Sequence, residues 1–199
     1  MTYTKRNLPH LYFEFGIYFI TFRLFGSLPR NVLFEINNSK EDDESKMLFK
    51  KYDDMLDSGN WGSKYLAIDE ISTMVKYCIH YPDGEEYNLI CYSIMSNHVH
   101  IVFELLENNK GLSKIMQSIK GISARESNKL LNRKGKFWQD ESYDRLVRNE
   151  NEFYRILKYV LMNPVKAGLV ENWKDWKNNY CNPEYMDFMH SVVVHCSPL

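Results

Sequence analysis

A chain of 199 residues is long enough for one hydrophobic core and too short for two full domains. Its hydrophobic content of 44% and aromatic content of 15% are typical of a globular protein. No stretch is long and apolar enough to span a bilayer, no secretory leader is present at the N-terminus, and the four cysteines form no C-x-x-C pair. We therefore expect a cytoplasmic protein with reduced thiols and no membrane contact.

The net charge of −1 hides an uneven distribution of charge along the chain. Between Lys110 and Lys177 the sequence has 15 Lys and Arg against 8 Asp and Glu, a balance of +7, and the remaining residues have 10 against 18. A basic segment of this kind suits a polyanionic partner. The isoelectric point of about 6.6 argues against indiscriminate coating of DNA, so nucleic-acid contacts are expected to be local.

The first part of the chain predicts one strand followed by two helices. The stretch from Ile17 to Leu24 is rich in β-branched and aromatic residues and is closed by turn residues. The run Glu41-Asp42-Asp43-Glu44 indicates a solvated loop. Apolar residues at helical spacing then predict a short helix between Met47 and Leu56 and a second helix between Ile68 and Ile79.

The centre of the chain predicts a β-hairpin that carries two histidines. Tyr87 to Ser93 reads as a strand, and only a few residues separate it from a second strand that begins at His98. This second strand is apolar at every other position, so its opposite face carries His98 and His100. Two imidazoles at i and i+2 project the same way and can reach one metal ion. The alternative is a pair of exposed histidines on a polar face.

The C-terminal half predicts a helix from Leu112 to about Leu131, a strand from Ser142 to Asn149 and a helix from Glu150 to Met162; the tail after Trp176 is unassigned. The order of elements predicts an α+β fold of the ferredoxin-like (split βαβ) type, an antiparallel sheet with helices on one face. The last helix is then expected to pack across the other face. We expect a single domain over residues 1–199, with an inserted acidic and helical segment at about 30–80.

The last predicted helix holds a tyrosine away from its apolar stripe. Tyr159 lies about 130° from the centre of the stripe, and Asn163 follows on the same flank one turn later. Pro164 disfavours helical geometry at Asn163, which predicts that Asn163 ends the helix and is free to turn toward a ligand. Tyr154 flanks the stripe on the opposite side. The alternative for Tyr159 is an amphipathic residue at the edge of the core.

Several motifs, in this order and spacing, resemble the REP-associated tyrosine transposases, which belong to the HUH single-tyrosine transposase superfamily. They are Met95-Ser96-Asn97-His98-Val99-His100, the stretch from Leu112 to Gly121, Phe137-Trp138-Gln139, Tyr143-Asp144-Arg145, and the stretch from Tyr159 to Leu169 with its Asn163-Pro164 pair. The resemblance covers the first strand and most of the chain from Tyr87 to Trp176. The family often has proline where Ser96 stands.

The resemblance implies that His98 and His100 are the metal-binding pair, that Tyr159 is the nucleophile and that Asn163 completes the metal site. Two imidazoles and an amide oxygen leave several positions of Mg²⁺ or Mn²⁺ open for phosphate oxygens and water. The family then implies a monomeric or homodimeric enzyme that cleaves and rejoins single-stranded DNA through a 5′-phosphotyrosine, at or near a hairpin-containing repeat.

Five further residues of the basic segment are candidate DNA contacts. Phosphate contacts are expected from Lys120, Arg125, Arg145 and Arg148, and base stacking from Trp138. The alternatives are an ion pair of Arg145 with the neighbouring aspartate and a purely structural Trp138.

Three other functions remain open at this point. One is a non-catalytic nucleic-acid-binding module on the same sheet, although an RNA-binding sheet would carry aromatic residues where the histidines stand. Another is a metallo-hydrolase, although Glu104 is the only carboxylate on the histidine strand. The third is a domesticated family member that nicks DNA for its host.

Overall fold

The computed structural model describes residues 2–5, 9–12, 15–28, 52–58 and 61–188. The strands are β1 (Thr2–Lys5), β2 (Pro9–Tyr12), β3 (Gly16–Arg23), β4 (Tyr87–Ile94), β5 (His98–Leu105), β6 (Tyr143–Leu146) and β7 (Asn179–Cys181). The helices are α1 (residues 52–57), α2 (Asp69–His80), α3 (Leu112–Leu130) and α4 (Glu150–Lys166). Among these described helices, none is long and apolar enough to cross a bilayer.

The main sheet has five strands in the order β6-β3-β5-β4-β7, and every neighbouring pair is antiparallel. The central strand β5 pairs with β3 so that Thr21 lies opposite His100 and Arg23 lies opposite His98. β1 and β2 pair with each other as a separate hairpin. The predicted α+β class with an antiparallel sheet is confirmed. The edge strand β7 was not predicted, because three residues are too few to show an alternating pattern.

Both faces of the sheet are covered by helices. α2 and α3 pack on one face, where the strands contribute Tyr18, Ile20, Phe22, Val99, Ile101 and Phe103. α4 packs on the other face against Phe19, Ile90, Cys91 and Val102 through Phe153, Leu157, Val160 and Leu161. The expectation that the tyrosine-bearing helix packs across the second face is therefore confirmed. The alternative of two exposed histidines is wrong, because the apolar stripe of α4 requires a partner and the histidine face supplies it.

The end of α4 differs from the sequence expectation. The helix continues through Pro164 to Lys166, so Asn163 lies in its last turn and is buried. The helix ends in a Schellman motif, in which Gly168 N donates to Val165 O, Leu169 N donates to Pro164 O, and Gly168 adopts a φ of 69°. Gly168, rather than Pro164, is thus the stop signal of the helix, and packing of its apolar stripe outweighs the local preference before proline.

The other predicted elements are confirmed with small shifts at their ends, namely the first strand, the hairpin of β4 and β5, α2 and α3. The predicted strand at Ser142 to Asn149 is shorter, because the Asn149 side chain caps α4 by accepting a hydrogen bond from Glu152 N. Of the first predicted helix, residues 52–57 are helical as expected. Its beginning at Met47 and the acidic run at 41–44 lie outside the described residues.

Candidate active site

The histidine pair of β5 is fully buried, and its two Nε2 atoms lie 3.1 Å apart. Each ring is held through its other nitrogen. His98 Nδ1 lies 2.7 Å from Asn97 Oδ1, and His100 Nδ1 lies 2.7 Å from Thr21 Oγ1. Asn97 Nδ2 donates to Leu56 O, which fixes the amide and leaves Oδ1 as the acceptor, so His98 Nδ1 carries the proton. The lone pair of His98 Nε2 therefore points toward His100, as in metal-binding histidines.

Burial keeps this pair suited to metal binding. Desolvation, together with the neighbouring His100, lowers the pKa of His98 to about 3. His98 is therefore a neutral imidazole at neutral pH, which is the form that binds a metal ion.

The short helix α1 brings carboxylates to the histidine pair. Asp53 Oδ1 lies 3.2 Å from His100 Nε2, and Asp57 Oδ1 lies 3.6 Å from His98 Nε2. Lys166 Nζ donates to Asp57 Oδ2 at 3.2 Å, which ties α1 to α4. Burial and the neighbouring Asp53 charge raise the pKa of Asp57 to about 6.

α4 adds the predicted tyrosine and asparagine of the same chain. The ring of Tyr159 lies 5.5 Å from the ring of His100, and its hydroxyl donates to Asp53 Oδ2. Asn163 Nδ2 lies 3.3 Å from His100 Nε2. Tyr154 is placed elsewhere: its hydroxyl donates to the exposed Glu150. The structure thus brings together all four residues that the sequence singled out for chemistry.

The polar atoms around the histidine pair fit a metal ion. Asp53, His98 and His100 each offer one ligand atom, and these atoms lie within 4.8 Å of one another. Among the described residues, Asn163 Oδ1 and Asp57 Oδ1 are buried oxygens without a hydrogen-bond partner. Asn163 Nδ2 also lies 3.5 Å from Asp53 Oδ2, so the nitrogen faces the site here, and a rotation about the last bond of Asn163 would turn its oxygen toward the site in its place. Two imidazoles with hard oxygen atoms are a donor set that a divalent cation accepts.

Asp53 and Asp57 were missed by the sequence reasoning. They lie at i and i+4 of α1, on one face of the helix. This spacing of two acids beside the apolar Leu56 was the available signal, but it does not reveal that the face meets β5 and α4.

The predicted DNA contacts lie in varied surroundings. The Trp138 ring is 4% exposed, and its Nε1 donates to Ser123 Oγ. In this structure Trp138 is therefore a structural residue, which was the alternative to base stacking. Lys120 Nζ donates to Asp140 O and to Ser142 Oγ, and burial lowers its pKa to about 8.

The three arginines also have acidic neighbours. Arg125 is exposed and pairs with Glu126. Arg145 forms an ion pair with Glu152. Arg148 N donates to a carboxylate oxygen of the same Glu152.

The chain also matches a known family. The sequence profile of the IS200-like transposases matches residues 63–163, slightly more than half of the chain. The chain belongs to the IS200-like transposase family. The matched segment contains the histidine pair and both predicted residues of α4, whereas α1 lies before it.

This family member is similar to proteins that carry more specific names. It is 28% identical over 108 residues to a Haemophilus influenzae (strain ATCC 51907 / DSM 11121 / KW20 / Rd) protein named as a REP-associated tyrosine transposase. The match covers 50% of this chain and 59% of the relative, so the similarity spans less than two thirds of the relative's length. The resemblance that the motifs indicated is confirmed.

Two solved structures are similar to the chain. One is a REP-associated tyrosine transposase bound to a REP hairpin, with a TM-score of 0.56, 17% identity, and coverage of 100% of this chain and 89% of that chain. The other is a protein of Deinococcus radiodurans R1 named as a transposase, with a TM-score of 0.41, 15% identity, and coverage of 79% and 95%. At 17% identity, the first likeness concerns the fold.

Proposed function

We propose that this single-domain protein is a metal-dependent transposase that cleaves and rejoins single-stranded DNA, with Tyr159 as the nucleophile. The observation that carries the proposal is the position of Tyr159 beside His100 in a member of the IS200-like transposase family. A non-catalytic binding module would not need a tyrosine hydroxyl next to two buried, neutral imidazoles. Tyr159 lies beside His100 of its own chain, which supports attack within one protomer.

His98, His100 and Asn163 would hold the cation, which we propose is Mg²⁺ or Mn²⁺. Phosphate oxygens are hard ligands, and both cations accept oxygen and keep open positions in a protein site. When bound, the cation supplies a Lewis acid that neutralises charge on the phosphoryl oxygens and on the leaving oxygen.

The chemical step exchanges one phosphodiester for another. The Tyr159 oxygen forms a bond to the phosphorus, the bond from phosphorus to the 3′-oxygen breaks, and the hydroxyl proton of the tyrosine is balanced by the proton gained by the 3′-oxygen. The products are a 5′-phosphotyrosine and a free 3′-OH. Because the ester bond is retained, attack by another 3′-OH reverses the step and rejoins strands without a further energy source.

The proposed partner is single-stranded DNA beside a hairpin. The basic balance of +7 between Lys110 and Lys177 supports a polyanionic partner for an otherwise acidic chain. The solved relative of similar fold is bound to a REP hairpin, which supports the choice of hairpin DNA.

A covalent-adduct assay tests this function. Labelled hairpin DNA with single-stranded flanks is incubated with the protein and Mn²⁺, and the products are separated on a denaturing protein gel. Wild type and Tyr154→Phe should both form a labelled protein band, whereas Tyr159→Phe should form none. Strand cleavage by wild type without any covalent band would contradict a tyrosine nucleophile.

A further inference from the structure

We propose that Asp53 joins the metal centre to the nucleophile: Oδ1 is a ligand of the cation that the histidine pair holds, and Oδ2 positions the Tyr159 hydroxyl. This inference rests on the proposed function for the roles of the histidines and of Tyr159. Asp53 lies before the segment that matches the family, so the family pattern at residues 63–163 does not include it.

The two carboxylate oxygens of Asp53 have different neighbours. Oδ1 lies 3.2 Å from His100 Nε2, which in turn lies 3.3 Å from the Asn163 side chain. Oδ2 accepts the hydrogen bond of Tyr159. One side chain therefore contacts both a metal-binding histidine and the proposed nucleophile.

Three atoms with lone pairs face one another beside the histidines, and this arrangement favours a cation between them. His98 Nε2 is an acceptor because its Nδ1 carries the proton, and His100 Nε2 and Asp53 Oδ1 face the same space. A single proton on His100 Nε2 would satisfy only one of its two neighbours. A divalent cation satisfies all three atoms at once, and these atoms lie within the 4.8 Å spacing that one cation spans.

The burial of Asp53 leads to the same conclusion. The residue is 0% exposed, and within the described residues Oδ1 has no hydrogen-bond donor other than the His100 ring. An ionised carboxylate in such a place is costly unless it is paired or coordinates a metal ion.

α1 is fixed to the site at several points, so Asp53 is held in place. Arg23 Nε donates to Tyr52 OH at 2.8 Å, and Asn97 Nδ2 donates to Leu56 O at 3.0 Å. The same Asn97 orients His98 through its Oδ1. Lys166 of α4 donates to Asp57 Oδ2 at 3.2 Å. α1 is thus attached to β3, to the start of β5 and to α4, the three elements that form the site.

A calorimetric titration of Mn²⁺ tests, without reference to activity, whether Asp53 is a ligand of the cation. Asp53→Ala should bind Mn²⁺ at least about 10- to 100-fold more weakly than wild type, since losing a partner that only orients a ligand already costs this much. Asp54→Ala is the matched control, because it removes the same charge one residue away from a half-exposed carboxylate that faces Lys166. Asp53→Leu has a similar length and no oxygen to offer, and it serves if the alanine variant unfolds. Equal Mn²⁺ affinity of Asp53→Ala (or Asp53→Leu) and Asp54→Ala would overturn the ligand role.

The rate of adduct formation at saturating Mn²⁺ tests whether Asp53 positions the Tyr159 hydroxyl. If Asp53 only supplied a ligand, saturation would restore the rate of the variant. A positioning role predicts that Asp53→Asn remains at least about tenfold slower than Asp54→Ala, since misplacing a nucleophile by about 1 Å costs on the order of 10²-fold. A rate equal to the control would overturn positioning. A faster rate would show that α1 only covers the site and would also overturn it.

The two measurements separate this inference from the proposed function. If wild type forms no adduct but Asp53→Ala loses Mn²⁺ affinity, the proposed function fails and the ligand role stands. If wild type forms the adduct while Asp53→Ala matches Asp54→Ala in Mn²⁺ affinity and Asp53→Asn matches it in rate, the function stands and the role of Asp53 is refuted.

Discussion

Replacing Asn97 by alanine is expected to weaken metal binding and to destabilise the fold, because this one amide supports both the histidine pair and α1. It bonds His98 Nδ1 at 2.7 Å and Leu56 O at 3.0 Å. The side chain is 1% exposed, so both partners would stay buried without it, and each orphaned group costs about 1–3 kcal/mol. We expect Asn97→Ala to lower the free energy of unfolding by about 2–6 kcal/mol. Its Mn²⁺ affinity should fall about 10- to 100-fold, because His98 loses the partner that fixes its tautomer.

Asn97→Asp separates the two roles of this residue. A carboxylate still accepts the hydrogen bond of His98 Nδ1, but it cannot donate to Leu56 O. Asn97→Asp should therefore be destabilised like Asn97→Ala and yet keep the Mn²⁺ affinity of wild type. Thermal unfolding checks the expected loss of stability. Calorimetric titration of Mn²⁺ into the folded proteins checks the expected affinities. If Asn97→Ala binds Mn²⁺ as tightly as wild type, the reasoning from the His98 tautomer is refuted.

Three further predictions concern charge and the candidate DNA contacts. The raised pKa of Asp57, about 6 against a usual 3.8, gives stability that is complete below pH 4 and is lost as the pH rises through 6, up to about 3 kcal/mol. The lowered pKa of His98 acts in the opposite direction over the same pH range, so the measured quantity is the difference in unfolding free energy between metal-free wild type and metal-free Asp57→Asn. This difference should shrink as the pH rises from 4 to 6; a difference that does not change with pH would contradict the assignment. Arg125→Ala should reduce the slope of log affinity for single-stranded DNA against log salt concentration by about one, the value for one phosphate contact, and should leave the melting temperature unchanged. An unchanged slope would place the phosphate contacts elsewhere. Trp138→Phe should cost at least about 1 kcal/mol, through the lost bond to Ser123 and the space left by the larger ring in the core, and leave DNA affinity unchanged; a selective loss of DNA binding would show that a base stacks on this ring.

The sequence predicted the parts of the site that lie on regular elements. Alternation along β5 placed His98 and His100 on one face, and the helical period of α4 placed Tyr159 off the apolar stripe and Asn163 on the same flank. These predictions depend only on the periods of 2.0 and 3.6 residues, which local sequence specifies.

The remaining parts depend on contacts between distant segments. Asp53 reaches Tyr159 across 106 residues of sequence, and no periodic pattern in α1 specifies which surface its acids face. At the end of α4, Pro164 gave the stronger local signal, whereas packing of the apolar stripe and the left-handed Gly168 determined where the helix stops.

Mapping the modified residue tests the central claim, that Tyr159 attacks DNA, most directly. The protein is reacted with hairpin DNA and Mn²⁺, digested with nuclease and trypsin, and analysed by tandem mass spectrometry. Cleavage after Arg148, Arg155 and Lys158 places Tyr154 and Tyr159 in different peptides. The account predicts a nucleotide attached through phosphate to Tyr159 alone. Attachment to Tyr154 or to any other tyrosine would contradict it.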